Sequence, residues 1–208
     1  MRGDNLGASV SDTDPIPPEK SPSSAMGLTG DSRATAIAAN EFISEAREKL
    51  SGQKRANMIL LRGFSKIPSW PQIDEVYRLN PAAIAAYPMY RGLARLLGMK
   101  VLNTGSTFDE QLGTLENSFE DHDFFFLHYK AADAAGEDGN FEGKIKTLED
   151  LDKKIPRLID LDIDTLVICG DHSTPAVLAS HSWHTVPLLI NASHTEGDGV
   201  ESFTEKAC

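Results

Sequence analysis

The sequence is short of the features that mark several protein classes. It has two cysteines in 208 residues, Cys169 and Cys208, which is too few for a disulfide framework. Cys169 ends the apolar run Thr165 to Cys169, where a small buried thiol fits, and the pattern reads as a reduced, cytoplasmic protein. No apolar run approaches the roughly 18 residues of a membrane-spanning helix. The N-terminus, Met1 to Asn5, lacks the apolar stretch of a signal peptide. Basic residues are scarce: 20 Lys and Arg stand against 31 Asp and Glu, a net charge of −11. Nucleic-acid binders draw much of their affinity from a basic face that neutralises phosphates. No Lys/Arg-rich run is present, so neither nucleic acid nor membrane is an expected partner. An acidic chain still binds a small phosphorylated compound where a metal or a few arginines reverse the local charge.

What is present is an ordinary globular composition, 40% apolar, with alternating element types. Residues 1–31, with Pro15, Pro17, Pro18 and Pro22, read as an extended linker that starts with a short strand. Asp31 or Ser32 caps a helix to Leu50, with Ala36, Ala39, Phe42, Ile43, Ala46 and Leu50 at helical spacing. Asn57 to Leu61 reads as a buried strand, followed by the apolar run Ala82 to Ala86. Pro88 opens a helix that Gly98 stops. Then come a strand at Met99 to Leu102, a helix from Thr107 to Phe119 and a strand at Phe124 to His128. A long helix over Asn140 to Ile159 is kinked or divided by Pro156. Strand Thr165 to Cys169, helix Thr174 to Ser180 and strand Val186 to Ile190 complete the pattern. The expectation is an α/β fold, a mostly parallel sheet with helices on both faces.

Three segments carry chemistry. Gly170-Asp171-His172-Ser173-Thr174-Pro175 follows an apolar strand, and ligands of open α/β sheets gather beyond strand C-termini. A carboxylate beside an imidazole suits a divalent metal such as Mn²⁺ or Zn²⁺. The same residues also read as a capped helix start. His181 lies one short segment further on and joins them if the chain folds back; a lone His otherwise fills an ordinary hydrogen-bonding role. Lys130 to Gly139 also follows a strand: Asp133 and Glu137 are hard oxygen ligands and Lys130 a phosphate partner. Its other reading is an acidic loop that caps the next helix. Arg62, Arg91 and Arg95 stand at or near element ends, with the planar donor fork that suits phosphate and carboxylate.

Taken in order, these words resemble the cofactor-independent phosphoglycerate mutases of the archaeal type, within the alkaline phosphatase superfamily. The matching segments are Ser11-Asp12-Thr13-Asp14-Pro15, Leu60-Leu61-Arg62-Gly63, Tyr87 to Ala94, Lys130 to Glu142, Gly170 to Pro175, and His181-Ser182 with Val186-Pro187. The resemblance implies an alkaline-phosphatase-like core, here incomplete. Residues 1–31 would be linker, 32–98 part of an inserted substrate-side region, and 99–208 half of the metal-binding core. It implies an isomerase of glycolysis and gluconeogenesis that interconverts 3-phosphoglycerate and 2-phosphoglycerate, with two divalent ions (Mn, Zn or Mg) activating a serine that carries the phosphoryl group. Asp171 and His172 would hold one ion, Asp133 and His181 the other. Glu137 stands where the family often has His and is a further candidate ligand. Arg62, Arg91 and Lys130 would bind substrate. The family's nucleophilic serine lies in an N-terminal segment with no counterpart here, so no catalytic nucleophile is assigned and little turnover is expected of these 208 residues alone. An apolar edge left open would favour a homo-oligomer. The alternatives are a non-catalytic metal-binding remnant and another phosphoryl- or phosphonate-transfer enzyme of the superfamily.

Overall fold

A computed structural model describes residues 3, 5–15, 21–197 and 200–207. Met1, Arg2, Asp4, Pro17, Pro18 and Cys208 lie outside the described residues. The chain forms two compact units, Met1–Ser69 and Trp70–Cys208, so the division falls inside the segment 32–98.

In the first unit, a 3-10 turn over Gly30–Ser32 leads into helix α1, Arg33–Leu50. Its apolar stripe is only half used. Ala36 and Ala39 are buried against Val10 and Ala25, with Leu61 and Phe64 packed around them, whereas Phe42 is exposed. The expected early strand is a single antiparallel bridge, Val10 to Gly27. Asn40 fixes the arm to the helix: its side-chain oxygen accepts from Ala25 N and its amide donates to Ala25 O, both at 2.9 Å. Residues 57–61, expected as a buried strand, join no ladder, and Asn57 and Leu60 are exposed. Thr13, 1% exposed, takes the place of a partner strand. Its backbone N–H and hydroxyl both donate to Leu61 O, and Leu61 N donates to its hydroxyl at 2.8 Å.

The second unit begins with helix α2, Ile73–Tyr77, and strand β1, Pro81–Ile84. Helix α3, Pro88–Leu96, starts on proline and ends at Gly98 with φ +82°, a left-handed stop. Strand β2, Lys100–Val101, is followed by helix α4, Phe108–Ser118. Thr107 and Glu110 form a reciprocal capping box at the start of α4. Strand β3 is Phe124–Leu127. The order β2-β1-β3 is parallel throughout, as the alternating pattern anticipated. Central β1 is wholly buried and divides two cores. Ile84 packs with Leu112, Leu115 and Leu158 on one side, and Ala83 with Ala94 and Met99 on the other.

The C-terminal half keeps the division expected at Pro156 and departs from the expected pattern elsewhere. The acidic segment after β3 is a helix, α5, Ala131–Glu137. The expected long helix is two, α6 (Phe141–Asp152) and α7 (Ile155–Ile159), divided just before Pro156, which cannot continue the hydrogen-bond ladder. Strands β4, Thr165–Cys169, and β5, Leu188–Ala192, pair antiparallel as a separate two-stranded sheet. No helix forms over Thr174 to Ser180. An antiparallel bridge ties Ser173 to Ser182, and Ala179 sits at φ +47°, so the segment is a turn. Cys169 is exposed on β4 rather than buried, because β4 turns alternate residues outward. Val167, Leu188 and Ile190 share that outward face. No helix among the described residues is long and apolar enough to cross a membrane.

The Thr13 pairing gives a direct test. Thr13→Val keeps the shape but strands the Leu61 N–H, which should cost about 1–3 kcal/mol. Urea denaturation of the two proteins side by side measures the difference; equal midpoints would remove Thr13 from this role.

Candidate metal centre

The site is built on the segments that follow β3 and β4. Helix α5 carries Asp133 and Glu137 one turn apart. The turn after β4 carries Asp171 and His172, and the strand-like bridge of Ser173 to Ser182 returns His181 beside them. The His172 and His181 rings lie 3.8 Å apart between centroids. One ligand atom from each of Asp133, His172 and His181 falls within 4.8 Å of the others.

The contacts divide into two groups. His181 Nε2 is 3.2 Å from Glu137 Oε1 and 3.6 Å from Asp133 Oδ1. His172 Nε2 is 3.6 Å from Asp171 Oδ2. Thr174, 3% exposed, links them: its hydroxyl donates to Asp133 Oδ1, and the same oxygen lies 3.2 Å from His172 Nδ1. With Thr174 on Nδ1, the His172 edge facing Asp171 is Nε2, the arrangement by which an outer partner orients an imidazole ligand.

Close backbone approach makes this possible. Gly136 is the buried residue of α5, and a Cβ there would overlap the Thr174 carbonyl oxygen. The Lys144 ammonium, from α6, donates to that same carbonyl.

Charge is arranged to keep both aspartates ionised. Burial pushes the Asp133 carboxyl upward, but its bonds from Lys130 and Thr174 outweigh that and hold it below the usual carboxylate value. Lys130 also reaches Glu137 at 3.6 Å. Burial acts on Asp171 in the same way and is outweighed by the Tyr90 hydroxyl, which donates to Oδ2 at 2.8 Å. Desolvation and then that bond push the Tyr90 phenol up to about 12, so Tyr90 stays protonated and acts as a donor only. The Tyr90 ring stacks on His128 at 3.7 Å. Sequence reasoning singled out neither Tyr90 nor Thr174 as a functional residue, although each lies inside a segment it quoted.

The remaining candidates are placed as follows. Lys130 is in the site. Arg91 follows Tyr90 in α3 and has no ion pair among the described residues. Arg62 belongs to the first unit, where it pairs with Asp14 at 3.3 Å.

The donor set fits a divalent ion. It offers a carboxylate and two imidazoles, spaced as ligand atoms around one centre are, and borderline ions such as Mn²⁺ or Zn²⁺ accept both donor types.

Comparison with known proteins gives the same direction. The family profile described as "Metalloenzyme superfamily" matches residues 7–207. A probable 2,3-bisphosphoglycerate-independent phosphoglycerate mutase of Thermotoga sp. (strain RQ2) is 45% identical over 206 residues, 99% of this chain and 51% of that protein. A probable mutase of the same description from Thermus thermophilus is 46% identical over 209 residues, 99% of this chain and 52% of that protein. Among solved structures, a protein from Pyrococcus horikoshii superposes with a TM-score of 0.75 at 29% identity, covering 86% of this chain and 52% of that one. The cofactor-independent phosphoglycerate mutase of Thermoplasma acidophilum gives 0.58 at 26%, covering 99% and 55%. The chain therefore spans about half the length of the curated relatives it matches.

Two tests follow from the geometry. Gly136→Ala should destabilise the protein by about 1–3 kcal/mol, because the new methyl group meets backbone and cannot be relieved by a rotamer change; thermal melting reads this directly. The second concerns pH. Burial holds the His128 imidazole below its ordinary value of 6.5. Its contribution to stability is complete above that value and is lost as pH falls through the folded-state value, at no more than about 1.4 kcal/mol per pH unit. Denaturation midpoints should therefore fall below pH 6.5 in the parent protein and fall less in His128→Phe, which preserves the stack on Tyr90. Parallel pH curves for the two would exclude His128 as the group responsible.

Proposed function

The chain belongs to the metalloenzyme superfamily, and from that membership we propose that its residues form the metal-holding part of a phosphoglycerate mutase, which interconverts 3-phosphoglycerate and 2-phosphoglycerate. The observation that carries this reading is the meeting of two ligand groups through one hydroxyl. Thr174 Oγ1 bonds Asp133 and lies beside His172; His181 lies against Asp133 and Glu137, Asp171 lies next to His172, and Asp133, His172 and His181 come together as one cluster. Two divalent ions bound there would neutralise phosphate charge and lower the pKa of an attacking oxygen.

The chain's own side chains have distinct tasks in this reading. Asp133 and Asp171 are kept as carboxylates by Lys130 and Tyr90. Thr174 orients His172 through Nδ1 and Asp133 through Oδ1, so a single buried hydroxyl sets both groups. Lys130 bonds Asp133 with its ammonium and reaches Glu137; when a phosphate enters, that ammonium is the nearest cationic donor to exchange onto it. Arg91, without an ion pair among the described residues, supplies a guanidinium from the helix that also carries Tyr90. In these 208 residues the reading assigns no nucleophile. The two serines that flank the candidate ligands in sequence are engaged elsewhere: Ser173 donates to Glu205, and Ser182 is bonded with His184.

Calorimetric titration of the purified chain with Mn²⁺ should show binding. Asp133→Ala, His172→Ala and His181→Ala should each weaken it about tenfold or more. Absence of Mn²⁺ and Zn²⁺ binding, or affinity indifferent to all three substitutions, would defeat the metal assignment. The reaction is tested by a coupled assay with 3-phosphoglycerate and Mn²⁺. The 208-residue chain alone should show little or no turnover, measured beside an intact mutase as the positive control. Turnover by the short chain near that of an intact enzyme would mean that a nucleophile within it has been missed.

A further inference from the structure

The Asp171 carboxylate is fixed at both oxygens. Oδ1 accepts from the His172 backbone N–H at 3.1 Å, and Oδ2 accepts from the Tyr90 hydroxyl at 2.8 Å. Oδ2 is also the oxygen that lies 3.6 Å from His172 Nε2. A carboxylate oxygen accepts through two lone pairs. Tyr90 occupies one on Oδ2, and the other is left for a cation that the His172 edge would share. The place of the phenol therefore decides where that second lone pair points.

Tyr90 is itself placed by a ring. It lies on the His128 imidazole with centroids 3.7 Å apart and planes at 26°, and Tyr87 and Phe126 flank it at 6.2 and 6.4 Å. His128 is the anchored member of the stack. It follows directly on β3, and its backbone N–H donates to Ile84 O at 3.0 Å, which carries the β1–β3 ladder one bond further. Its Nδ1 is buried without a partner among the described residues, so the ring serves this neighbourhood through its face and not through that nitrogen. The stack matters because no ladder joins the β4–β5 ribbon to the β2-β1-β3 sheet among the described residues. The turn after β4 takes its place from side-chain ties. Asp133 and Glu137 supply them from α5, and Tyr90 supplies one from α3.

We propose that His128 and Tyr90 are a positioning pair for Asp171: the imidazole sets the phenol, and the phenol sets the carboxylate oxygen offered to a divalent cation. Neither residue is a ligand in this arrangement. The inference rests on the metal reading given above and deepens it, since it names what aims one of the proposed ligands from the main sheet. A stack that only filled space would have no use for the Tyr90 hydroxyl.

The test uses the 208-residue chain with Mn²⁺ as the probe, read by calorimetry and by the EPR signal of free Mn²⁺. Tyr90→Phe keeps the ring and removes the hydroxyl. It should weaken, about tenfold, the same Mn²⁺ step that Asp171→Ala weakens. His128→Ala removes the stack and should weaken that step too, whereas His128→Phe restores a ring and should bind as the parent does. The double variant separates positioning from general support. With Asp171→Ala in place, Tyr90→Phe should cost nothing more, because its effect passes through that carboxylate. Equal Mn²⁺ affinity in the parent and Tyr90→Phe, or losses that add in the double variant, would overturn the pair and leave the metal centre standing. His128→Phe binding as weakly as a folded His128→Ala, or His128→Ala binding as the parent does, would overturn the part given to His128. A parent that binds no Mn²⁺ would defeat the metal reading itself, and the pair with it.

Discussion

The contact between α5 and the Thr174 backbone is the constraint on which the site depends. Asp133 and Glu137 ride on a seven-residue helix, too short to hold itself in water. Its position is set by what it touches. Gly136 lets the helix backbone come against the Thr174 carbonyl oxygen, and Lys144 secures the same oxygen from α6. Once that approach is made, the Thr174 hydroxyl reaches Asp133 and His172 together. The carboxylates of one segment and the imidazoles of the other then share a space that neither segment defines alone.

The electrostatics are local rather than global. A chain with net charge −11 partly buries Asp133 and Asp171 at this centre, and burial alone would raise their affinity for protons. The compensation comes from Lys130, from the Thr174 hydroxyl and from the Tyr90 phenol, each donating to a carboxylate oxygen. These donors keep Asp133 and Asp171 ionised and aimed, the state in which an oxygen ligand is useful to a cation.

Features set by local chemistry could be read from the sequence. Pro88, Gly98, Thr107 and Pro156 mark element boundaries because proline, a left-handed glycine and a capping hydroxyl act within one turn of backbone. The parallel β2-β1-β3 sheet followed from alternating apolar runs. Features decided by distant partners were not legible. Residues 57–61 have strand composition, but Thr13 rather than a strand meets them. Residues 174–180 have helix composition, but the Ser173 to Ser182 bridge holds their ends side by side. Helix α5 looked like an acidic loop, because its helical character is settled by packing at Gly136. The same division runs through the site. Asp171 and His172 were marked by the strand before them, whereas Tyr90, 81 residues from the carboxylate it bonds, and the His128 ring that stacks on it emerge only from the folded chain.

The spacing along the chain of the groups that meet at Thr174 has a consequence for the order of folding. The Asp133 and Thr174 partners are 41 residues apart, and the Glu137 and His181 partners 44. By contrast, the capping box of α4 spans three residues, and β1 is joined to β2 through a single short helix. Short loops close at lower entropic cost than long ones, and topology of this kind sets which contacts form early. Only the β1–β2 pair closes from near neighbours; β3 joins β1 across 43 residues, and the cluster of carboxylates and imidazoles closes loops of 41 and 44. The outer strand of the sheet and the centre thus carry the same loop-closure cost, and both belong to the long-range part of folding, after the local caps and the β1–β2 pair.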